Sequence, residues 1–134
     1  MKVIVVGGAG LPEQVAGALL GSGDDVTIVE TEQDRGAVAG AEGLHTVFGD
    51  AIVPATLEHA GALTADVLVA STRSDEDNLV ISLLAKRLFS VPRVIARVND
   101  LANSWMFDET WGVDTVVSPA ALLKSIIEQE PPHT

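Results

Sequence analysis

The segment KVIVVGGAGLPEQVAGALL sets Gly7, Gly8 and Gly10 between a run of Val and Ile and a stretch with helical spacing. A turn without β-carbons lets the backbone approach a pyrophosphate, whose charge is then met by the amides at the helix start. Glu30 follows 23 residues after Gly7, close to the roughly 20-residue offset at which an acidic side chain accepts hydrogen bonds from ribose hydroxyls. The pair points to a nucleotide laid across the first turn. The charge of Glu30 repels a 2′-phosphate and so favours NAD or an adenosine nucleotide, while Arg35 keeps NADP open as a phosphate partner.

The dinucleotide motif G-x-G-x-x-G fits in two registers, Gly7, Ala9, Pro12 or Gly8, Gly10, Glu13, and both lack the third glycine. Pro12 suits a first helical position but removes one amide from the phosphate turn. A charge-assisted hydrogen bond is worth about 1.5–3 kcal/mol, so its loss weakens affinity roughly ten- to a hundredfold. Two plainer readings stand beside this one. The glycines can serve only a tight strand-to-helix turn, and Glu30 can be a solvated strand end.

The elements that must position these residues are legible as short unbroken apolar runs, which mark strands covered on both faces. They are residues 2–6, 25–30, 44–50, 65–72, 93–100 and 113–118. The gaps hold one helix each, the rhythm of a doubly wound parallel α/β sheet. Ser74 is expected to cap a helix over 75–89, with Asp75, Glu76 and Asp77 in its first turn and Lys86 and Arg87 in its last, charges that complement the helix dipole. Ser118 and Pro119 start a last helix with Leu122, Leu123, Ile126 and Ile127 on one face, ended by Pro131 and Pro132. Something must cover that stripe.

Composition narrows the function. The chain has 134 residues and a net charge of −11, with only 8 Lys and Arg against 19 Asp and Glu. A nucleic-acid binder needs a basic face, so no nucleic-acid partner is expected. There is no Cys and no Tyr, hence no disulfide, thiolate or phenol chemistry. No apolar stretch reaches the length of a membrane span, so direct membrane insertion is not expected. His45, His59 and His133 lie too far apart for a metal site, and none is expected.

Gly49-Asp50-Ala51, the run SDEDNLVISLLAKRL, and ARVND followed by GVDTVVSP occur in one order and spacing. In these motifs the chain resembles the N-terminal (TrkA-N) domain of the RCK family, regulators of potassium conductance that include the Trk and Ktr potassium-uptake regulatory subunits. The resemblance covers residues 1–129, leaving 130–134 as a tail expected to be disordered. It implies a Rossmann-like six-stranded sheet ordered 3-2-1-4-5-6 with helices on both faces and a nucleotide at the switch between strands one and four. By position, Gly7, Gly8, Ala9 and Gly10 would face the phosphates and Glu30 the ribose. Asp50 and Ala51 would lie beside the adenine, with Ser71, Thr72 and Arg97 flanking the far end.

The resemblance implies NAD or NADH, alternatively ATP or ADP, as ligand. It also implies a homo-oligomer, dimer or ring, whose last helix crosses to the neighbour, and a membrane potassium channel or transporter subunit as partner. The location implied is cytoplasmic, peripheral to the inner face of the membrane. The family usually has a second, smaller ligand-binding domain, so the chain is expected to be either a fragment of a longer protein or a single-domain subunit.

The leading expectation is therefore a non-catalytic nucleotide sensor of a potassium channel or transporter. An alternative, motivated by the missing third glycine, is a degenerate assembly subunit of a gating ring that holds no nucleotide. An NAD-dependent oxidoreductase would need a substrate domain or a catalytic acid that a chain without Tyr, Cys or clustered His does not offer. Asp50 does not fit the phospho-acceptor of a receiver domain, which requires an acidic pair where this chain has glycine. Residues 105–111, WMFDETW, are expected on one helix, as core packing or as an interface hot spot. Arg97 sits inside an apolar run, where it must pair with a carboxylate or meet a ligand phosphate.

Overall fold

A computed structural model of the chain describes residues 1–7, 15, 18–19, 21–31 and 45–129. Six strands form one parallel sheet: β1 (Lys2–Gly7), β2 (Asp25–Glu30), β3 (His45–Phe48), β4 (Val67–Ser71), β5 (Arg93–Arg97) and β6 (Thr115–Val117). Their spatial order is β3-β2-β1-β4-β5-β6. Three α-helices are described, α1 (Pro54–His59), α2 (Asp75–Leu83) and α3 (Pro119–Glu128).

The period of two in the strands divides the core into two layers. Ile4 and Val6 enter a cluster with Leu57, Leu68, Leu79, Ile81 and Val94, under α1 and α2. Val3 and Val5 turn to the other face and join Val26, Ile28 and Val67, against which Val15 and Leu19 pack. Ile4, Ile28, Leu57 and Leu68 have no exposed surface; burial of such side chains is worth about 1.5–3 kcal/mol each. Because both faces of β1 and β2 are covered, their sequences are continuous rather than alternating.

The caps act as expected. Ser74 Oγ accepts from the Asp77 amide at 3.1 Å and Ser118 Oγ from the Ala121 amide at 3.0 Å. The expected helix over 75–89 is α-helical only to Leu83. Leu84–Leu88 widen into a π turn closed by the Phe89 amide on the Leu84 carbonyl, and Ser90 leaves it with φ 55°.

The aromatic segment departs further from expectation. It is not one helix but two 3₁₀ stretches, Leu101–Met106 and Glu109–Trp111. Asp108 breaks it by capping the second stretch through the Thr110 amide, while Phe107 turns into the core. Trp111 packs against that core, and Trp105 stays 77% exposed.

Candidate functional site

The carboxyl ends of the strands open into a cleft of about 220 Å³. Gly7, Glu30, Asp50, Ala51 and Thr72 line it together, five positions named from the sequence and drawn from β1, β2, the loop after β3 and the residue after β4. Gly8, Ala9, Gly10, Pro12, Arg35 and the 130–134 tail lie outside the described residues. Ser71 and Arg97 are placed elsewhere. They line a second cavity of about 220 Å³ with Val5, Val15, Val69, Ile95, Val117 and Pro119.

Each wall of the cleft is held locally. Glu30 is 1% exposed at the end of β2, and its carbonyl accepts from the Gly49 amide at 2.8 Å, which fastens the loop after β3 to β2. Gly49 allows a close approach, since a β-carbon there would stand 3.0 Å from the Thr56 side chain, which would have to give way. Asp50 Oδ1 accepts from the Ile52 amide at 3.1 Å, a local turn that orients the carboxylate, and Ala51 is buried in the core beneath it. Opposite stands the turn Thr72–Ser74, which leads into α2.

Sequence reasoning missed several cleft residues: Thr31, Gly49, Arg73 and Asp77, and it read Ser74 only as a helix cap. The position of Arg73 beside the cap was the available signal, because a helix start attracts anions and a cation there adds to that attraction.

The arrangement can receive a nucleotide. Glu30 and Asp50 can accept from hydroxyls or an exocyclic amine, Gly7 leaves the backbone bare, and Arg73 supplies positive charge at the rim. The volume is below the roughly 300–1,000 Å³ of whole small-molecule sites. The second cavity offers the Arg97 guanidinium, whose Nε is buried with no hydrogen-bond partner among the described residues. The Ser71 hydroxyl is instead engaged, donating to the Val6 carbonyl at 2.7 Å.

A family model for the TrkA-N domain matches residues 3–119. The chain belongs to the TrkA-N family. The Trk system potassium uptake protein TrkA of Mycobacterium tuberculosis is 43% identical to this TrkA-N chain over 129 residues, 96% of the chain. The chain spans 59% of the length of that relative. A solved structure of GsuK bound to ADP superposes with a TM-score of 0.74 at 27% identity, covering 94% of this chain and 32% of that one. The GsuK channel bound to NAD gives 0.69 at 28% identity, over 95% and 22%. The strand order implied by the resemblance is the order found.

Other features settle more simply. His45 and His59 are exposed, and His133 lies outside the described residues. Among the described residues no group of His, Asp and Glu could hold a metal ion, and no helix is long and apolar enough to cross a membrane.

Proposed function

We propose that this TrkA-N chain is a cytoplasmic, non-catalytic nucleotide-sensing domain that regulates a potassium channel or transporter. The observation that carries the reading is Glu30, a buried carboxylate at the end of β2, facing a cleft beside the point where strand order reverses. In open α/β sheets that is where nucleotides bind. The relatives support it: one is named as a potassium uptake protein, and GsuK has been solved with ADP and with NAD.

In this reading Glu30 holds the ribose, Asp50 and Ala51 flank the adenine, and Gly7, Gly8, Ala9 and Gly10 cradle the phosphates. Thr72 closes the cleft. A dinucleotide passes over the sheet edge between Gly7 and Ser71, and its far half meets Arg97 in the second cavity. The stripe Leu122, Leu123, Ile126 and Ile127 on α3, 56–79% exposed, joins two copies. A ligand that binds one arrangement of the assembly better than another shifts the balance between them by its difference in affinity, and a membrane pore subunit at the inner face senses the shift.

The test is thermal stability and calorimetry with ADP, ATP, NAD and NADH. A ligand present at a hundred times its Kd stabilises by about 2.7 kcal/mol, which in a domain of this size raises Tm by about 10 °C. At least one of the four is expected to do so at millimolar concentration, and Glu30→Ala to weaken it about ten- to a hundredfold. No shift and no heat with any of them overturns the reading.

A further inference from the structure

Asn78 is wholly buried on α2 and lies behind the wall of the cleft rather than in it. Its amide group is engaged on every side. Oδ1 accepts from the Thr72 amide at 2.9 Å and from Thr72 Oγ1 at 2.7 Å. Nδ2 donates to the Thr72 carbonyl at 3.0 Å and to the Arg97 carbonyl at 2.8 Å. These bonds use both donors and both lone pairs that a primary amide possesses, and three of the four fall on Thr72.

A buried helix position next to Leu79 and Ile81 calls for an aliphatic side chain, which would fill the space and strand no polar atom. An amide with this bonding pattern does a different job: it fixes the height and tilt of the Thr72–Ser74 turn. It also decides what the turn can offer. The hydroxyl hydrogen of Thr72 has two acceptors within reach, Asn78 Oδ1 and the Ser74 carbonyl at 3.1 Å, and Thr72 Oγ1 in turn accepts from the Ser74 amide at 3.2 Å. Its proton is therefore committed inside the protein. Thr72 Oγ1 is left with one lone pair to receive a hydrogen bond from a ligand hydroxyl or amide and with no proton to give a phosphate.

We propose that Asn78 is a positioning residue for the ligand cleft: by holding Thr72 through its backbone and hydroxyl, it sets the wall against which the nucleoside half packs and makes Thr72 an acceptor there. This rests on the nucleotide reading above. It is separable from Asn78 as a mere stabiliser, because Ser82 gives a control on the same helix. Ser82 is equally buried, and its hydroxyl donates to the Asn78 carbonyl at 2.6 Å without touching the turn.

The experiment compares the intact chain with Asn78→Asp, Asn78→Ala, Thr72→Val and Ser82→Ala, measuring ADP affinity by calorimetry and exchange of the Thr72 amide by NMR without ligand. Asn78→Asp can still accept from Thr72 but turns both carbonyl contacts repulsive, and Asn78→Ala removes all four bonds. Both are expected to weaken ADP about tenfold and to speed Thr72 amide exchange at least about tenfold relative to β1 amides. Thr72→Val is expected to weaken ADP with the backbone bonds intact, and Ser82→Ala to lower Tm with ADP affinity within twofold of the parent. An Asn78 variant that folds and binds ADP as the parent does, unchanged exchange at Thr72, or equal weakening by Ser82→Ala overturns the assignment while the nucleotide reading stands. A parent chain that binds no adenine nucleotide removes both.

Discussion

Gly7 on β1 lies in register with Ser71 on β4, and the Ser71 hydroxyl bonds to the carbonyl of Val6, one residue back. That bond ties the two halves of the sheet at the place where strand order reverses. The chain therefore presents a glycine edge flanked by two cavities, one on the Glu30 side and one on the Arg97 side. A ligand crossing this edge has to pass over residue 7, and any side chain there stands in its path.

Gly7→Val keeps a residue suited to a buried strand but puts a branched side chain at the crossing. We expect at least a tenfold loss of NADH affinity, equivalent to about 1.4 kcal/mol, with the folded sheet retained by circular dichroism. Undiminished NADH binding by a folded Gly7→Val would show that the ligand does not cross at this edge.

In the proposed reading Arg97 separates mononucleotides from dinucleotides. Its Nε is buried with no hydrogen-bond partner among the described residues, and an unsatisfied buried donor costs about 1–3 kcal/mol. Replacing it with an apolar side chain of similar length, Arg97→Met, is expected to raise the ligand-free Tm by a few degrees. The same change should weaken NADH several-fold and leave ADP unaltered, because in the proposed reading only the far half of a dinucleotide enters the second cavity. Equal loss of both ligands in titration would place Arg97 at the phosphates instead.

These expectations show how far the sequence could be read. The strands announced themselves because burial on both faces demands unbroken Val and Ile, Glu30 followed from its place at a strand end, and Asp50 and Ala51 came from the family resemblance. Thr31, Gly49, Arg73 and Asp77 were not legible, since only the fold brings the ends of β2 and β3 and the start of α2 to the walls of one cleft. Asn78 was hidden for a related reason: a polar residue on a helix reads as solvated, and only the tertiary fold turns it inward onto Thr72 and Arg97. The aromatic segment misled because helical spacing carries no sign of a cap at Asp108 that splits it.

Asp75 gives the fold a dependence on pH. Burial pushes its carboxyl up, but hydrogen bonds from the Asn103 side chain, the Asn99 and Asp100 amides and the Asn99 side chain outweigh this and hold it below the ordinary value. A carboxyl lowered by folding stabilises the protein above its unfolded value of about 3.9, and that contribution is lost as pH falls from there through the lower folded value. Asp75→Asn cannot accept all of these bonds. It should lower Tm at pH 7 by about 4 °C, for roughly 1 kcal/mol, and the gap to the parent should shrink in scans toward pH 3. A gap independent of pH would mean that the charge on Asp75 plays no part.

The last helix makes a prediction about assembly that is independent of ligand. Leu122, Leu123, Ile126 and Ile127 are each more than half exposed, and Val116 and Val117 beside them are 40% and 47% exposed. Such side chains contribute little to the fold of a single copy. Buried between two copies they gain about 1.5–3 kcal/mol each, against an association cost of about 4–15 kcal/mol. Four or more are therefore needed for a dimer at micromolar concentration, and removing two should abolish it. Leu123→Asp with Ile127→Asp is expected to convert a dimer into a monomer in sedimentation at about 50 µM, a concentration at which a complex with a Kd near 1 µM is mostly formed, and to lower Tm at that concentration by a few degrees as the stabilisation by the partner is lost. If the parent chain sediments as a monomer under these conditions, the stripe does not join two copies of this chain, and its cover must come from a different protein or from further sequence.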